Sequence, residues 1–151
     1  MPTLRDFLAE SDILLDLQGA SKDQVLAELI ARLGVGPDNG GLLLRILQRR
    51  ESLGSTGIGR GVAIPHCRTQ LVARLRVVFG RQVAGVPWDA VDGQPVKYVF
   101  LLAAPPIEVS NDYLPVLGRI AELVKEPSVP ERLSRVSSPT EFLSLLEERR
   151  V

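Results

Sequence analysis

The sequence contains only one cysteine, Cys67, and only one histidine, His66. A disulfide needs a second cysteine in the chain, so a disulfide framework is excluded. One cysteine and one histidine also cannot fill the four ligand positions of a structural zinc site. We therefore expect a protein that holds no metal, and we expect no cofactor.

The chain also lacks an excess of either charge, because 18 lysines and arginines balance 18 aspartates and glutamates. A protein whose main task is to coat nucleic acid carries a positive excess, so we expect no nucleic-acid partner. The longest apolar run, residues 98–104, is too short to cross a bilayer. Residues 1–20 contain four acidic side chains and do not resemble a secretory signal. These features predict a cytoplasmic protein that does not insert into a membrane.

The composition is that of a folded domain, with 45% apolar and 24% charged residues. No linker or repeat divides the chain, so we take residues 1–151 as a single domain with one core. Ser21, Ser128 and Ser138 are candidate N-caps of helical segments. Apolar side chains recur at helical spacing in residues 21–34, 38–50 and 111–124.

Strand signals lie between these helical segments. Residues 96–103 are almost continuously apolar, which is typical of a central strand that is covered on both faces. Residues 75–80 are predicted to form a second strand, and Asp92-Gly93 predicts a hairpin between residues 88–91 and 96–103. The predicted fold class is α/β: a single-domain sandwich in which a small mixed β-sheet is flanked by helices on both faces.

The balanced total charge hides a basic segment, because residues 45–76 contain seven arginines and a single acid, Glu51. The only histidine lies inside this segment, after a glycine-rich stretch, residues 54–61, that we expect to be a loop. Backbone N–H groups of such a loop can bind a phosphate. Two interpretations stay open: the arginines are solvated surface charges, or they form a positive field that attracts an anionic ligand or partner.

His66 is the residue with the most versatile chemistry. Its imidazole is a nucleophile at neutral pH and can form a covalent adduct with a transferred group. Pro65 fixes the chain direction just before it. Arg50, Arg60 and Arg68 are near enough in sequence to pair with phosphate oxygens. Together these residues predict a histidine that accepts a phosphoryl group, and a purely structural histidine is the alternative.

Competing site types have weaker support in the sequence. The glycines at positions 57, 59 and 61 do not form the G-x-G-x-x-G pattern of dinucleotide binding, and no G-x-x-x-x-G-K-[ST] loop is present. No G-x-S-x-G motif supports a serine nucleophile. His66 and Cys67 are adjacent, so in an extended chain they point to opposite faces and do not form a dyad. We expect Cys67 to be a small packed thiol.

Residues 50–66, with the sequence RESLGSTGIGRGVAIPH, resemble the active-site signature of a known family. The family is that of the enzyme IIA domains of the bacterial phosphoenolpyruvate:sugar phosphotransferase system, of the fructose–mannitol type that includes the nitrogen-regulatory members. Residues 88–96, WDAVDGQPV, and the apolar strand that follows also resemble this family. The resemblance covers about residues 4–148 and implies an α/β sandwich that carries a phosphoryl group.

Carried over by position, the resemblance implies that His66 accepts the phosphoryl group and that Arg50 lies beside the phosphohistidine. The predicted phosphate-binding set is Ser55, Thr56, Gly57 and Arg60. In the family, the phosphoryl group comes from the phosphocarrier protein HPr or its nitrogen-branch counterpart. It passes to an enzyme IIB cysteine or serves as a regulatory mark. The implied partners are therefore an HPr-like donor and an enzyme IIB domain or regulatory target proteins.

One position departs from the family pattern. Members usually carry a second histidine at the start of a helix, and the corresponding stretch here is Asn111-Asp112-Tyr113-Leu114. Tyr113 stands where that histidine would. A tyrosine can donate one hydrogen bond but carries no charge at neutral pH, so its presence predicts a slower relay. The alternative is that Tyr113 is an aromatic residue packed on the sheet at the start of a helix.

Two functions stay open at this point. The first is a phosphoryl carrier that uses His66. The second is a regulatory binding module that does not relay the phosphoryl group, which Tyr113 and the lack of an attached IIB or membrane IIC domain in the sequence motivate. The sequence indicates neither the sugar nor the nitrogen of His66 that is phosphorylated.

Overall fold

A six-stranded sheet and five α-helices make up the computed structural model, which describes residues 2–106 and 111–151. The strands are β1 (Ile13–Leu14), β2 (Gly57–Gly59), β3 (Val62–Ala63), β4 (His66–Arg68), β5 (Arg76–Val86) and β6 (Val96–Ala104). The helices are α1 (Lys22–Ala31), α2 (Pro37–Leu53), α3 (Tyr113–Lys125), α4 (Ser128–Arg135) and α5 (Pro139–Glu148). Two short 3₁₀ segments, Leu4–Phe7 and Glu10–Asp12, precede β1. Among the residues described, no helix combines the length and the apolar character that a membrane span requires.

The strands form a mixed sheet with β6 at its centre. The order is β1-β5-β6-β3-β2, and β4 pairs with the C-terminal end of β6. β5 and β6 are antiparallel, with Phe79 opposite Phe100, whereas β1 runs parallel to β5, and β3 and β4 run parallel to β6. β3 and β4 pair with successive parts of the same edge of β6. Residues of the signature segment, 50–66, that belong to different strands are therefore separated along β6.

Side chains of β6 alternate between two hydrophobic cores, one on each face of the sheet. Phe100 and Leu102 pack on the side of α3, α4 and α5, whereas Val99 and Leu101 pack on the side of α1 and α2. Burial of each such side chain stabilises the fold by about 1.5–3 kcal/mol. This two-sided burial explains the almost continuous apolar run, and it confirms the predicted sandwich with helices on both faces.

Two of the three predicted serine caps are present, whereas Ser128 is the first residue of α4 and Pro127 holds the N-cap position. The Ser21 hydroxyl accepts a hydrogen bond from the Gln24 N–H at 3.2 Å, and the Ser138 hydroxyl accepts one from the Glu141 N–H at 3.2 Å. These bonds satisfy N–H groups that have no partner within the first turn of a helix. They therefore fix the starts of α1 and α5.

The buried face of α3 differs from the one that its spacing predicts. The predicted buried set is Leu114, Leu117, Ile120, Ala121 and Val124. The observed buried set is Tyr113, Val116, Ile120, Leu123 and Val124. The observed rotation buries larger side chains, because Leu123 and Tyr113 take the places of Ala121 and Leu114. Leu114 is left 67% exposed, and Tyr113 faces the sheet beside β4.

The tight two-residue hairpin lies at Arg60-Gly61, and the hairpin predicted at Asp92-Gly93 was wrong. β2 and β3 are antiparallel across Arg60, with φ of 58°, and Gly61, with φ of 78°. Two successive positive φ angles are typical of a type I′ turn. The glycine-rich stretch that was predicted to be a loop, residues 54–61, thus contains strand β2. Residues 88–91 form no strand, because β5 continues to Val86 and pairs directly with the start of β6.

Candidate functional site

His66 opens β4, and its imidazole is anchored through one ring nitrogen. Nδ1 lies 2.6 Å from the carbonyl oxygen of Ile64. A carbonyl oxygen only accepts hydrogen bonds, so we assign the proton to Nδ1 and the lone pair to Nε2. The backbone is also fixed at this point, because His66 pairs with Leu102, whose N–H donates to the Pro65 carbonyl at 2.9 Å.

The pKa of His66 is lowered from its ordinary value. Burial has the largest effect and disfavours the charged ring. The hydrogen bond to Ile64 raises the pKa, the Arg50 guanidinium lowers it and the Glu51 carboxylate raises it. Because the net direction is downward, the ring is mainly uncharged at neutral pH. An uncharged ring with its lone pair on Nε2 is a competent nucleophile.

Arg50 lies in the last turn of α2 and faces the site. Its guanidinium lowers the pKa of both His66 and Tyr113, so it is within electrostatic reach of both rings. Its Nη1 donates to the carbonyl of Gly54 at 2.7 Å, which holds the side chain across the end of the helix. The structure therefore places Arg50 within electrostatic reach of His66, and its position beside a phosphohistidine stays a prediction.

Glu51 holds together one wall of the site, which is formed by Glu51, Ser55, Thr56 and Gly57. The sequence reasoning did not include Glu51 among the site residues. One carboxylate oxygen accepts the Thr56 hydroxyl, and the other accepts the Thr56 N–H at 3.1 Å and pairs with the Lys22 ammonium at 3.3 Å. The Trp88 indole N–H also donates to the Thr56 hydroxyl at 3.4 Å. The available signal was that Glu51 is the only acid among seven arginines of this segment.

Ser55 and Gly57 are occupied with holding the same wall. The Ser55 hydroxyl donates to the Trp88 carbonyl at 2.9 Å and accepts the Gly57 N–H at 3.0 Å. A Cβ atom on Gly57 would lie 2.8 Å from the Cβ of Ala90, so only glycine fits there. The N–H groups of Thr56 and Gly57 thus already have protein acceptors, and these residues support the site rather than present free donors to it.

Arg60 lies away from His66, which corrects the phosphate-contact prediction for this residue. Its N–H donates to the Asp92 carboxylate at 3.0 Å, and its guanidinium donates to the carbonyl of Lys125, the last residue of α3. His66 lies near Tyr113, the first residue of the same helix. Since a helix of 13 residues is about 20 Å long, Arg60 and His66 are at opposite ends of it. We leave Arg60 out of the candidate site.

Tyr113 is beside His66 and is stacked against Arg68. The ring centroids of His66 and Tyr113 are 6.0 Å apart, with the planes tilted by 52°. The Arg68 Cζ lies 4.5 Å from the Tyr113 centroid, and Arg68 Nη1 donates to the carbonyl of Pro105 at 3.0 Å. Burial raises the pKa of Tyr113 to about 12, so this residue stays neutral.

Cys67 is buried on the opposite face of β4 from His66, as the sequence predicts. Burial raises the pKa of its thiol to about 12, so the thiolate that would act as a nucleophile is not formed at neutral pH. In the part of the chain that the structure describes, no three side chains of the metal-ligating types come together. The chemistry of the site therefore belongs to His66.

Residues 6–149 match the family model described as phosphoenolpyruvate-dependent sugar phosphotransferase system, EIIA 2. A nitrogen regulatory protein of Bradyrhizobium diazoefficiens is 36% identical over 131 residues, which are 86% of this chain and 85% of that protein. The fructose-specific EIIABC component of the phosphotransferase system of Bacillus subtilis is 30% identical over 151 residues, which are 96% of this chain. The match covers only 23% of that longer protein.

Solved structures give the same picture. The nitrogen regulatory protein IIA-Ntr from Neisseria meningitidis superposes with a TM-score of 0.82 and 34% identity, over 93% of this chain and 97% of that one. Enzyme IIA for mannitol from Escherichia coli, solved in complex with phosphorylated enzyme IIB, superposes with a TM-score of 0.74 over 93% of this chain and 97% of that one. At 24% identity, the second likeness bears on the fold alone.

Proposed function

The chain belongs to the EIIA 2 family of the phosphoenolpyruvate-dependent sugar phosphotransferase system, and on that premise we propose that it accepts a phosphoryl group on Nε2 of His66. The observation that carries this proposal is the 2.6 Å contact between Nδ1 and the Ile64 carbonyl. The contact keeps the proton on Nδ1 and aims the lone pair of Nε2 away from the protein backbone. It also fixes the ring plane, which in-line transfer requires.

The proposed step moves one phosphoryl group and no proton. The Nε2 lone pair attacks phosphorus, and the Nε2–P bond forms as the bond from phosphorus to the leaving atom of the donor breaks. The donor keeps the electron pair of the broken bond. The Nδ1 proton stays in its hydrogen bond with Ile64. Transfer of this kind depends mainly on positioning and on neutralising the charge of the phosphoryl oxygens.

Arg50 is the residue that we propose for charge neutralisation at His66. Its guanidinium acts on the imidazole in the unphosphorylated protein, where it lowers the pKa. The same positive charge stabilises a phosphoryl group on Nε2, and an arginine binds phosphate oxygens through two parallel donors. The wall built by Glu51, Ser55, Thr56 and Gly57 holds the end of α2 against the strand that leads to His66.

The donor that we propose is an HPr-like phosphocarrier, which docks on the surface around His66. Two large apolar side chains are exposed on the elements that carry Arg50 and Tyr113: Leu53, 78% exposed, and Leu114, 67% exposed. A partner that docks around His66 would cover apolar side chains such as these, and their burial would favour binding. Among the described residues no carboxylate pairs with the exposed Arg45 and Arg49 of α2. This predicts acidic groups on the partner.

We propose two destinations for the phosphoryl group, an enzyme IIB domain or a regulatory target. EIIA domains pair with EIIB domains, and enzyme IIA for mannitol has been solved with phosphorylated enzyme IIB. The similarity to nitrogen regulatory proteins supports the regulatory destination. Residues 1–151 are proposed to act as one domain, since both cores share a single sheet. We propose the cytoplasm as the compartment in which the domain meets its phosphocarrier.

The test is phosphorylation by enzyme I, a phosphocarrier and phosphoenolpyruvate, read by intact mass. Wild-type protein is expected to gain one phosphoryl group, and His66→Ala is expected to gain none. NMR of ¹⁵N-labelled protein, which has a single histidine, then shows which nitrogen bears phosphorus. A folded wild-type protein that never gains the group, or an equal gain by His66→Ala, would overturn the proposal. Phosphorus on Nδ1 would overturn the assignment to Nε2.

A further inference from the structure

A chain of three hydrogen bonds connects Glu51 to the imidazole of His66. The Glu51 carboxylate accepts the Thr56 N–H at 3.1 Å, and the Thr56 carbonyl accepts the Ile64 N–H at 3.0 Å. The Ile64 carbonyl then lies 2.6 Å from Nδ1 of His66. The N–H and the carbonyl of Ile64 flank the same Cα atom, so a shift of Thr56 moves the acceptor that orients the ring.

Glu51 holds Thr56 at two points. One carboxylate oxygen accepts the Thr56 hydroxyl, and the other accepts the Thr56 N–H. Thr56 is buried, and the buried Trp88 donates its indole N–H to the same hydroxyl at 3.4 Å. Because buried donors are costly to leave without an acceptor, these bonds keep Thr56 in one position.

The Glu51 carboxylate is itself fixed from a second helix. Lys22, the first residue of α1, places its ammonium 3.3 Å from the oxygen that accepts the Thr56 N–H. The same ammonium lies 5.3 Å from the centroid of the Trp88 ring. Only 5% of the Glu51 side chain is exposed. A carboxylate enclosed between a cation and two donors has little freedom to turn, so it is a firm anchor for Thr56.

We propose that Glu51 is a positioning residue for phosphoryl transfer, which acts through Thr56 to hold the Ile64 carbonyl against Nδ1 of His66. This inference rests on the phosphorylation of His66 proposed above. Glu51 contacts neither the donor nor the phosphoryl group in this role. It keeps the proton on Nδ1 and the lone pair on Nε2. A ring that is released from Ile64 shares its proton between both nitrogens, and a protonated Nε2 has no lone pair with which to attack phosphorus.

The first measurement is the nitrogen of His66 that carries the proton. Ring ¹⁵N NMR above the pKa of His66 distinguishes the two nitrogens, and the chain has a single histidine. The proton of the wild-type protein is expected on Nδ1. Glu51→Ala removes the anchor of Thr56 and should move part of the proton population to Nε2.

Asp12→Ala is the matched control for Glu51→Ala. Asp12 is also a buried carboxylate that pairs with a cation at 3.3 Å, in this case Arg76, and that accepts a backbone N–H, from Ala9 at 2.9 Å. It directly precedes β1, which lies at the opposite edge of the sheet from β2. Asp12→Ala should therefore leave the His66 proton on Nδ1. An equal shift of the proton in both variants would overturn the inference, because it would reflect a general loosening of the fold.

Two conservative variants separate the reach of Glu51 from its charge, and they keep the test decisive if Glu51→Ala does not fold. Glu51→Gln keeps the length of the side chain, and its amide can accept the Thr56 N–H and donate to the Thr56 hydroxyl. Glu51→Asp keeps the charge but is one methylene shorter and does not reach both groups. We expect the proton to stay on Nδ1 in Glu51→Gln and to move in Glu51→Asp. The reverse order would show that Glu51 acts through its charge and would overturn the inference.

The second measurement is the rate of phosphoryl transfer. Misplacement of a reacting group by about 1 Å can lower a rate about a hundredfold, so Glu51→Ala is expected to lower kcat by up to that factor with KM for the phosphocarrier unchanged. Glu51→Asp should fall in the same direction, whereas Asp12→Ala should stay within about twofold of wild type.

The outcomes separate this inference from the proposed function. If a folded wild-type protein never gains a phosphoryl group, the proposed function falls and the inference falls with it. If the wild-type protein is phosphorylated and Glu51→Ala keeps both the Nδ1 proton and the wild-type kcat, only the role of Glu51 falls. A loss of kcat with the proton still on Nδ1, or a rise in KM alone, would also overturn the inference while the proposed function stands.

Discussion

Arg60 and His66 are close in sequence, but they end up at two very different places along the central strand. Val62 pairs with Tyr98, and His66 pairs with Leu102, so the backbone advances about 13 Å along β6 between these two pairs. At the His66 end, the imidazole lies beside the Tyr113 ring and within electrostatic reach of Arg50. At the other end, Arg60 occupies a turn. Sequence proximity in a segment of successive strands therefore means separation in space.

The two ends use the same residue type for different purposes. The Arg60 guanidinium bonds the last carbonyl of α3, where the helix carries its partial negative charge. Its backbone takes a positive φ of 58°, and the Asp92 carboxylate holds its N–H in the turn. At the His66 end, Arg50 lowers the pKa of the imidazole, and it is the residue proposed to neutralise the phosphoryl group. The comparison thus separates Arg60, which contacts the end of α3, from Arg50, which is proposed to serve the site.

Replacing Arg50 by methionine should give the largest difference between the two ends. The change removes the cation that lies nearest to His66 in electrostatic terms, and we expect the phosphorylation rate to fall by a factor of about 10²–10³. Arg60→Met should leave the rate within about twofold of wild type, because its guanidinium contacts only the end of α3. The measurement is the initial rate of phosphoryl gain at saturating donor.

The free energy of unfolding of the same two variants is the second quantity to compare. Arg60→Met should lower the free energy of unfolding by about 0.5 kcal/mol through the lost contact at the end of α3. Urea titration of both variants checks that each is folded before the rates are compared. A rate loss for Arg60→Met as large as that for Arg50→Met would contradict the separation of the two ends.

The sequence points to the proposed reactive residue, His66, more directly than to the residues around it. His66 and Arg50 can be predicted because they are part of a dense motif and because a lone histidine in a basic segment is uncommon. The central strand can be predicted because both of its faces are buried. The position of Arg60 depends on which strands pair, and the inward turn of Tyr113 depends on which face of α3 packs better. Neither is encoded in local spacing, since both follow from tertiary packing.

The contacts of Glu51, which stabilise the fold, could not be predicted from local sequence spacing either. Its carboxylate joins the end of α2 to Thr56 and Lys22, a connection that only the folded chain creates. At the distant end, the Asp92 carboxylate makes a comparable bond to the Arg60 N–H, but this bond is exposed to solvent. Two carboxylates thus anchor the two ends of the same segment in different surroundings.

Replacing each carboxylate by its amide should separate these surroundings. Glu51→Gln is expected to lower the free energy of unfolding by about 2 kcal/mol, because the buried Thr56 and the half-buried Lys22 lose a charged acceptor. Asp92→Asn should cost less, since water replaces the bond at an exposed position. Chemical denaturation of both variants measures the difference. Equal losses would show that burial at Glu51 does not strengthen its bonds.

The smallest expected effect is on the pKa of His66, and it distinguishes the two ends without any partner protein. Burial and Arg50 lower this pKa below the ordinary value of 6.5, so the neutral ring predominates at pH 7. The unfolded chain then binds a proton before the folded one does. The contribution of His66 to stability is therefore complete above pH 6.5 and is lost as the pH falls through the lowered folded pKa.

Arg50→Met should raise the pKa of His66, because it removes a repelling cation, and Glu51→Gln should lower it further, because it removes an attracting anion. Arg60→Met should not change it. The single histidine gives one unambiguous set of imidazole signals in an NMR titration. Two results would contradict this account: a change of the His66 pKa in Arg60→Met, or a lower His66 pKa in Arg50→Met. Either would show that Arg50 and Glu51 are not the charges that set this pKa.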